Sequence, residues 1–294
     1  LAIILILPLI VSSFRQQAQS WNVYLKLMSY TIHNKAIRLF LILGGFFIAN
    51  ALMAEFIGVK IFSLEKTLGL DPIHFSLFGY SDLAFNLTAG VLLWPVVFIM
   101  TDIINEYYGP KGVKLLSFLA VGLIVYAFVM VYLAVYLSPA DFWPTSHIRP
   151  DWTEIQKQDM MEAVGDYNSA FSLVFGQGLW IIIGSLVAFL VGQFVDVMTF
   201  HRIKKVTGDQ KMWLRATGST LISQFIDSFI VLFIAFYIGA GWDIRLVLAI
   251  GLVNYFYKFT IAILLTPIIY LVHNLIDNYL GKNLANELKS QAMD

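Results

Sequence analysis

Asp102, Asn105 and Glu106 stand at i, i+3 and i+4 in the run from Trp94-Pro95 to Gly109. That spacing puts them on one helix face, a turn apart. Two carboxylates and an amide so placed can hold a cation or a proton, or accept hydrogen bonds from a ligand. Glu106 has a second expectation, because at a helix end it can be solvated or pair with Lys111. Gln193 and Asp196, in Gly192-Gln193-Phe-Val-Asp196, are three apart and share a face. Gln224 and Asp227, in Ser223-Gln224-Phe-Ile-Asp227, repeat the same Gln-Phe-x-Asp pattern. Asn254 and Lys258 share a face at i, i+4. Glu55 either serves a ligand or pairs with Lys60. These are binding groups, and no catalytic set accompanies them. The chain has no cysteine and five scattered histidines. It lacks Gly-x-Ser-x-Gly, a His-Glu helix pair and a phosphate loop ending in Gly-Lys-Ser/Thr. No enzyme activity, resident metal, cofactor or ATP hydrolysis by this chain is expected.

The elements that carry these groups follow from composition. Of 294 residues, 59% are hydrophobic and only 13% charged, about half the charged share of an ordinary soluble domain. So much apolar surface needs lipid as its solvent. Net charge is zero, which gives no reason to expect a nucleic-acid partner. A bilayer core about 30 Å thick takes about 20 apolar residues of helix. Six stretches qualify, near 36–62, 83–104, 113–137, 170–200, 214–239 and 244–272. The predicted fold class is therefore all-α, a polytopic membrane bundle of six transmembrane helices. Basic loops carry Lys26, Lys35 and Arg38, then Lys111 and Lys114, then Arg202, Lys204, Lys205, Lys211 and Arg215. They alternate with the acidic loops 63–82 and 138–169. Lys/Arg bias fixes orientation, so both termini are expected in the cytoplasm. Residues 36–273 form the transporter domain on this reading, and 274–294 a cytoplasmic tail. Residues 1–35 form an N-terminal extension. Its apolar start is too short to span and has no basic flank, and Met28 is the expected natural start, leaving 1–27 as upstream translation. The alternative for that stretch is an interfacial segment.

Depth sharpens the list of ligand groups. Lys258 lies 14 residues from either end of 244–272, or about 20 Å at 1.5 Å per residue. An ammonium so deep needs a partner, and Asp227 on the preceding, antiparallel helix is at similar depth. The pair either ties two helices together or borders a substrate cavity. Gln193 and Asp196 lie towards the cytoplasmic end. Gly184, Ala188 and Gly192 form a small-residue stripe that lets helices approach closely, and Ala54 and Gly58 a shorter one. Thr266-Pro267 predicts a kink or an unwound turn. The stretch 138–169, with Trp143 and Trp152, is either a cap on the membrane surface or a solvated loop. Inward polar groups on several helices point to a transporter.

Four separated blocks carry a resemblance. They are Trp94-Pro95 through Thr101-Asp102 to Gly109, Gly192-Gln193-Phe-Val-Asp196-Val-x-x-Phe200, Ala216-Thr-Gly-Ser219-Thr220-Leu-Ile-Ser-Gln-Phe-Ile-Asp227, and Tyr257-Lys258 followed by Thr266-Pro267. Together they resemble the queuosine precursor transporter family, also called the vitamin uptake transporter family, across about residues 30–280. The resemblance implies a bacterial inner-membrane importer of 7-cyano-7-deazaguanine, its 7-aminomethyl analogue or the base queuine, feeding tRNA modification. The cargo is then a small 7-deazaguanine. A carboxylate of Glu55, Asp102, Asp196 or Asp227 would accept its paired N–H groups. An amide of Asn105, Gln193, Gln224 or Asn254 would read the carbonyl, and Lys258 would polarise that carbonyl or hold Asp227. Phe194, Phe225, Tyr255 or Tyr257 would stack on the ring. The family is also similar to the substrate-binding subunits of energy-coupling-factor importers. That leaves three expectations for partners besides membrane lipid: an energising ATPase module, a second copy of the chain, or none.

Overall fold

The computed structural model describes residues 34–176, 178–207 and 212–292. The expectations placed on the first 33 residues, including Met28, lie outside these. Helix α1 spans Lys35–Ile57, and Asn34 caps it by accepting from the N–H groups of Ala36 and Ile37. The chain then runs through β1 (Ile61–Ser63), the single-turn α2 (Leu64–Thr67), β2 (Phe75–Leu77), β3 (Tyr80–Leu83) and β4 (Asn86–Thr88). β1 pairs antiparallel with β4, and β2 with β3. Helix α3 spans Trp94–Val135, α4 Glu154–Val164, α5 Tyr167–Phe175, α6 Leu179–Thr207, α7 Met212–Leu232, α8 Ile244–Leu280 and α9 Lys282–Gln291. A π-helical turn, Phe233–Ile238, extends α7.

Among the described residues, five stretches are long and apolar enough to cross a membrane: Lys35–Ile57, Trp94–Val135, Tyr167–Thr207, Leu214–Ile238 and Ile244–Leu280. The expected 83–104 span is corrected. Tyr80–Leu83 and Asn86–Thr88 are paired strands, a 3-10 turn follows at Ala89–Leu92, and α-helix begins only at Trp94, where Pro95 occupies the first turn. Proline suits that position because its missing N–H has no helical partner there. The expected second and third spans share α3, which is broken at Gly109 (φ 66°, ψ −173°). That backbone is open to glycine. Tyr108 reaches the Ala36 carbonyl and Gly90 lies against that of Ala54, so the first arm is antiparallel to α1. Leu116 fits over Gly44 and Phe128 faces Phe56, so the second arm is parallel to it. The chain therefore reverses at Gly109.

The core follows from this fold-back. Phe47, Val97, Ile103, Ile104, Tyr107 and Phe189 are all buried between α1, both arms of α3, and α6. α6 and α7 make the most extensive helix contact. At its closest point a Cβ on Gly184 would lie 3.1 Å from the Val231 carbonyl oxygen. The small-residue stripe thus works as close packing within the chain. α8 is helical through Pro267, so no unwound turn forms there, and it runs on past residue 273 to Leu280. α9 folds back on α3: a Cβ on Gly109 would lie 2.8 Å from the Ala292 carbonyl oxygen. Lys289 pairs with Asp277 at 2.9 Å, and Asp277 accepts from the Tyr107 hydroxyl at 2.8 Å. The 138–169 stretch holds α4, whose Thr153–Gln156 capping box satisfies its first turn.

Outside the spans, Glu65 ties the β segment together. Burial pushes its carboxyl up, but the Phe85 N–H at 2.8 Å and the Ser63 hydroxyl at 3.0 Å outweigh this and hold it below its ordinary value of 4.5. A lowered folded pKa gives stability that is complete above the unfolded value and lost as pH falls through the folded one. Residues 58–93 are thus expected to become protease-sensitive on acidification below about pH 4.5. Glu65→Gln is expected to show raised sensitivity already at pH 7 and a flatter pH response. Limited proteolysis at pH 7 and pH 4 checks both.

Candidate functional site

The bundle encloses a set of polar groups beside its apolar core and turns large apolar side chains outward. Thr101, Asp102, Asn105, Glu106, Asp196, Ser219 and Ser223 are at most 1% exposed, whereas Leu41, Phe194 and Leu264 are more than 60% exposed. Outward apolar side chains meet lipid at no cost, so polar groups gather inside, each in need of a partner.

These partners form layers, read here from the Gly109 end. Glu106 accepts from Arg215 at 2.8 Å and lies 3.2 Å from the Lys204 ammonium, all three buried. This corrects the expected pairing with Lys111. It also corrects the reading of Lys204 and Arg215 as loop charges, since both lie within helix turns that aim inward. Asn105 hydrogen-bonds His201 at 2.9 Å. Asp102 accepts from the hydroxyls of Ser219 at 3.3 Å and Thr220 at 3.1 Å, and Asp196 from Ser223 at 3.0 Å. Thr101 donates to the Gln193 carbonyl at 2.9 Å. Further along, Lys258 donates to Asp227 at 2.6 Å, the pair expected from depth, and Asp227 packs on Gly192. Glu55 accepts a hydrogen bond from Ser185 on α6.

One helix organises most of this. Ser219, Thr220, Ser223, Gln224 and Asp227 stand at i, i+1, i+4, i+5 and i+8 of α7, within the stripe one helical face presents. The hydroxyls were missed as site residues from sequence, as were Thr101, Ser185 and His201. The signal was their spacing against Gln224 and Asp227. Asn254 is half-buried and makes no hydrogen bond among the described residues. Phe194 (69% exposed) and Phe225 (46%) turn outward, so neither stacks in this interior as placed. Among the described residues no three His, Cys, Asp or Glu side chains are grouped to hold a metal.

Several buried polar atoms have no hydrogen-bond partner: both carboxamide atoms of Gln224, the amide nitrogens of Gln193 and Asn105, and Oδ2 of Asp196. An orphaned buried amide is costly, and such atoms call for a specific explanation. Gln224, Thr220 and Lys258 line one cavity with Pro95, Ala262 and Ile269. Its volume is about 10 Å³, room for about one water.

A family model described as "Putative vitamin uptake transporter" matches residues 88–272. That range holds every candidate residue except Glu55. The chain is 28% identical over 201 residues to a "Probable queuosine precursor transporter" of Bacillus subtilis, covering 66% of this chain and 76% of that one. A protein of the same description from Haemophilus influenzae is 26% identical, over 63% of this chain and 67% of its own. The "Queuosine precursor transporter" of Escherichia coli is 24% identical, over 72% and 83% respectively. No solved structure matches the chain at the same stringency.

Proposed function

Because the chain belongs to the vitamin uptake transporter family, we propose that it imports queuosine precursors, namely 7-cyano-7-deazaguanine and its 7-aminomethyl analogue, for tRNA modification. It is a transporter and not an enzyme. It is a multi-pass protein of the bacterial inner membrane. The relatives' names support the cargo class. The two arms of α3, running opposite ways along α1, support six crossings. With basic residues gathered at the Gly109 end, the described termini then lie on the cytoplasmic side.

The observation that carries the site is Gln224: a carboxamide 2% exposed, orphaned at both polar atoms, lining a cavity with Lys258. A carboxamide offers one donor and one acceptor, the complement of the lactam edge of a guanine-like base. Asp227, beside it on α7, accepts paired N–H groups. Lys258 donates to that carboxylate and fixes its position. A base far exceeds 10 Å³, so binding requires α8 to part from α7 and the first arm of α3. Such gating around a mid-membrane site is the ordinary logic of carriers.

Gln224→Leu is the sharpest variant. It removes an orphaned amide and keeps the bulk, so thermal stability is expected to hold or rise. Import is expected to fall by about tenfold or more, the scale on which sites built to hydrogen-bond a ligand discriminate. The reading itself is tested by rescue. The chain is expressed in a bacterium that neither makes nor imports the precursors, nanomolar 7-cyano-7-deazaguanine is supplied, and queuosine is measured in tRNA. Restored queuosine supports the proposal. Its absence, with the protein verified in the membrane, refutes it for that cargo. The family description favours a second reading, another small aromatic vitamin or base such as queuine, and the same strain supplied with queuine tests that.

A further inference from the structure

A second, larger space opens on the other side of α6, sharing Gln193 and His201 with this interior. A groove of about 670 Å³ separates the second arm of α3 from α6. Its α6 wall is a stripe: Leu190, Phe194, Val197 and Met198, then His201, Arg202 and Lys205. These fall on one face at helical spacing, apolar for about two turns and then carrying His201, Arg202 and Lys205 in about one more. Opposite, Val113 and Phe118 continue the apolar wall and Lys114 joins the basic end. Among the described residues no acidic side chain lines the groove. Among the described residues Lys114, Arg202 and Lys205 are exposed and in no ion pair, whereas their neighbour Lys204 turns inward to Glu106. Phe118 (57%) and Phe194 (69%) are bare in the zone that lipid covers. From Leu190 to Arg202 is 12 residues, about 18 Å of helix, against about 15 Å for one leaflet's hydrocarbon.

We propose that this groove is a binding site for one anionic phospholipid of the cytoplasmic leaflet, its phosphate on Lys114, Arg202 and Lys205 and an acyl chain along Val197, Phe194 and Phe118. Two features select an anionic amphiphile over a neutral one or a soluble anion. The cations sit only at the membrane-surface end, and the rest of the groove has apolar walls of acyl length. Basic pockets between transmembrane helices on the cytoplasmic side recognise such headgroups. The Ser117 hydroxyl, buried and without a partner among the described residues, lines the groove one turn from Lys114, and the ester oxygens near a phosphate are acceptors of the right kind for it.

The test is lipid titration of the delipidated, detergent-purified chain by native mass spectrometry, with phosphatidylglycerol and phosphatidylcholine as probes. The wild type is expected to retain phosphatidylglycerol at least several-fold more tightly. Lys114→Gln/Arg202→Gln/Lys205→Gln is expected to weaken phosphatidylglycerol by about tenfold or more and leave phosphatidylcholine unchanged. Phe118→Ala/Phe194→Ala, which keeps all charges, is expected to weaken both. All five side chains are exposed, so an unchanged lipid-free melting temperature is expected for each variant. Equal retention of phosphatidylglycerol by the triple variant overturns the proposal. So does its displacement by glycerol 3-phosphate alone, which makes the site one for soluble phosphates, or by a 7-deazaguanine, which makes it a cargo route.

Discussion

Glu106→Gln is expected to destabilise the protein by about 3–5 kcal/mol, the cost of breaking a buried ion pair by removing one partner. Glu106, Lys204 and Arg215 are each no more than 2% exposed, and both cations lie within 3.2 Å of the one carboxylate. Glutamine keeps the shape and the hydrogen-bond acceptor but removes the charge. Two ammonium-type groups are then held close together in low dielectric, and their repulsion adds to the desolvation each already bears. Arg215 also stacks 5.8 Å above the Phe200 ring, which holds it in position and prevents easy escape. The expected readouts are lower accumulation in the membrane and an earlier melt in detergent. Glu106→Leu combined with Lys204→Met and Arg215→Met is expected to recover much of the loss, because apolar replacement of a whole buried cluster is often neutral or better. An unchanged melt for Glu106→Gln rules out the charge cluster as a support of the fold.

Asp227→Asn is expected to lose more than the double change Asp227→Asn with Lys258→Gln. Lys258 is 7% exposed, mid-way along α8, with its ammonium 2.6 Å from the Asp227 carboxylate. The single variant leaves a buried ammonium facing an amide, an arrangement costing several kcal/mol when the partner is lost. The double variant removes both charges, and its coupling energy isolates the pair. Melting temperature reads the structural part. Precursor import reads the rest: both variants are expected to import poorly, because each lacks the carboxylate that would take the base's N–H groups. A double variant no more stable than the single excludes the pair as a structural unit. Full import by the double excludes Asp227 from cargo binding.

The helices were legible because lipid leaves few alternatives: long apolar runs must be helical. The start of α3 was not. Residues 83–93 include an apolar run, yet Asn86–Thr88 within them pair as β4 with β1, and that partner lies more than 20 positions upstream. Asp227 and Lys258 were legible as a pair because an ammonium at that depth has few ways to be satisfied. Glu106 was misread because a cation near a helix end in sequence resembles a loop charge, and only the α6–α7 packing turns Lys204 and Arg215 inward. The hydroxyls of Ser219, Thr220 and Ser223 share a face with Gln224 and Asp227, but that spacing alone did not mark them as partners of carboxylates. Serine and threonine in membrane helices commonly bond their own backbone, as Ser219 and Ser223 also do here. Their second bond, to a carboxylate on another helix, appears only in three dimensions.

The contact between Gly109 and Ala292 also bears on how the molecule is made. Residues 109 and 292 are far apart in the chain, and Ala292, which follows α9, comes after every membrane-crossing stretch described above. Chains fold from the amino end as they are synthesised, so α1 and both arms of α3 can assemble while α9 is still unmade. The Gly109 end then stays uncovered until α9 has been made, after all the membrane-crossing stretches that precede it. A truncation before Lys282 therefore gives a chain that inserts its helices and never seals that end. A bulky fusion joined directly behind Ala292 meets the same difficulty, and reporters are better placed in the acidic 138–169 stretch, away from the seal.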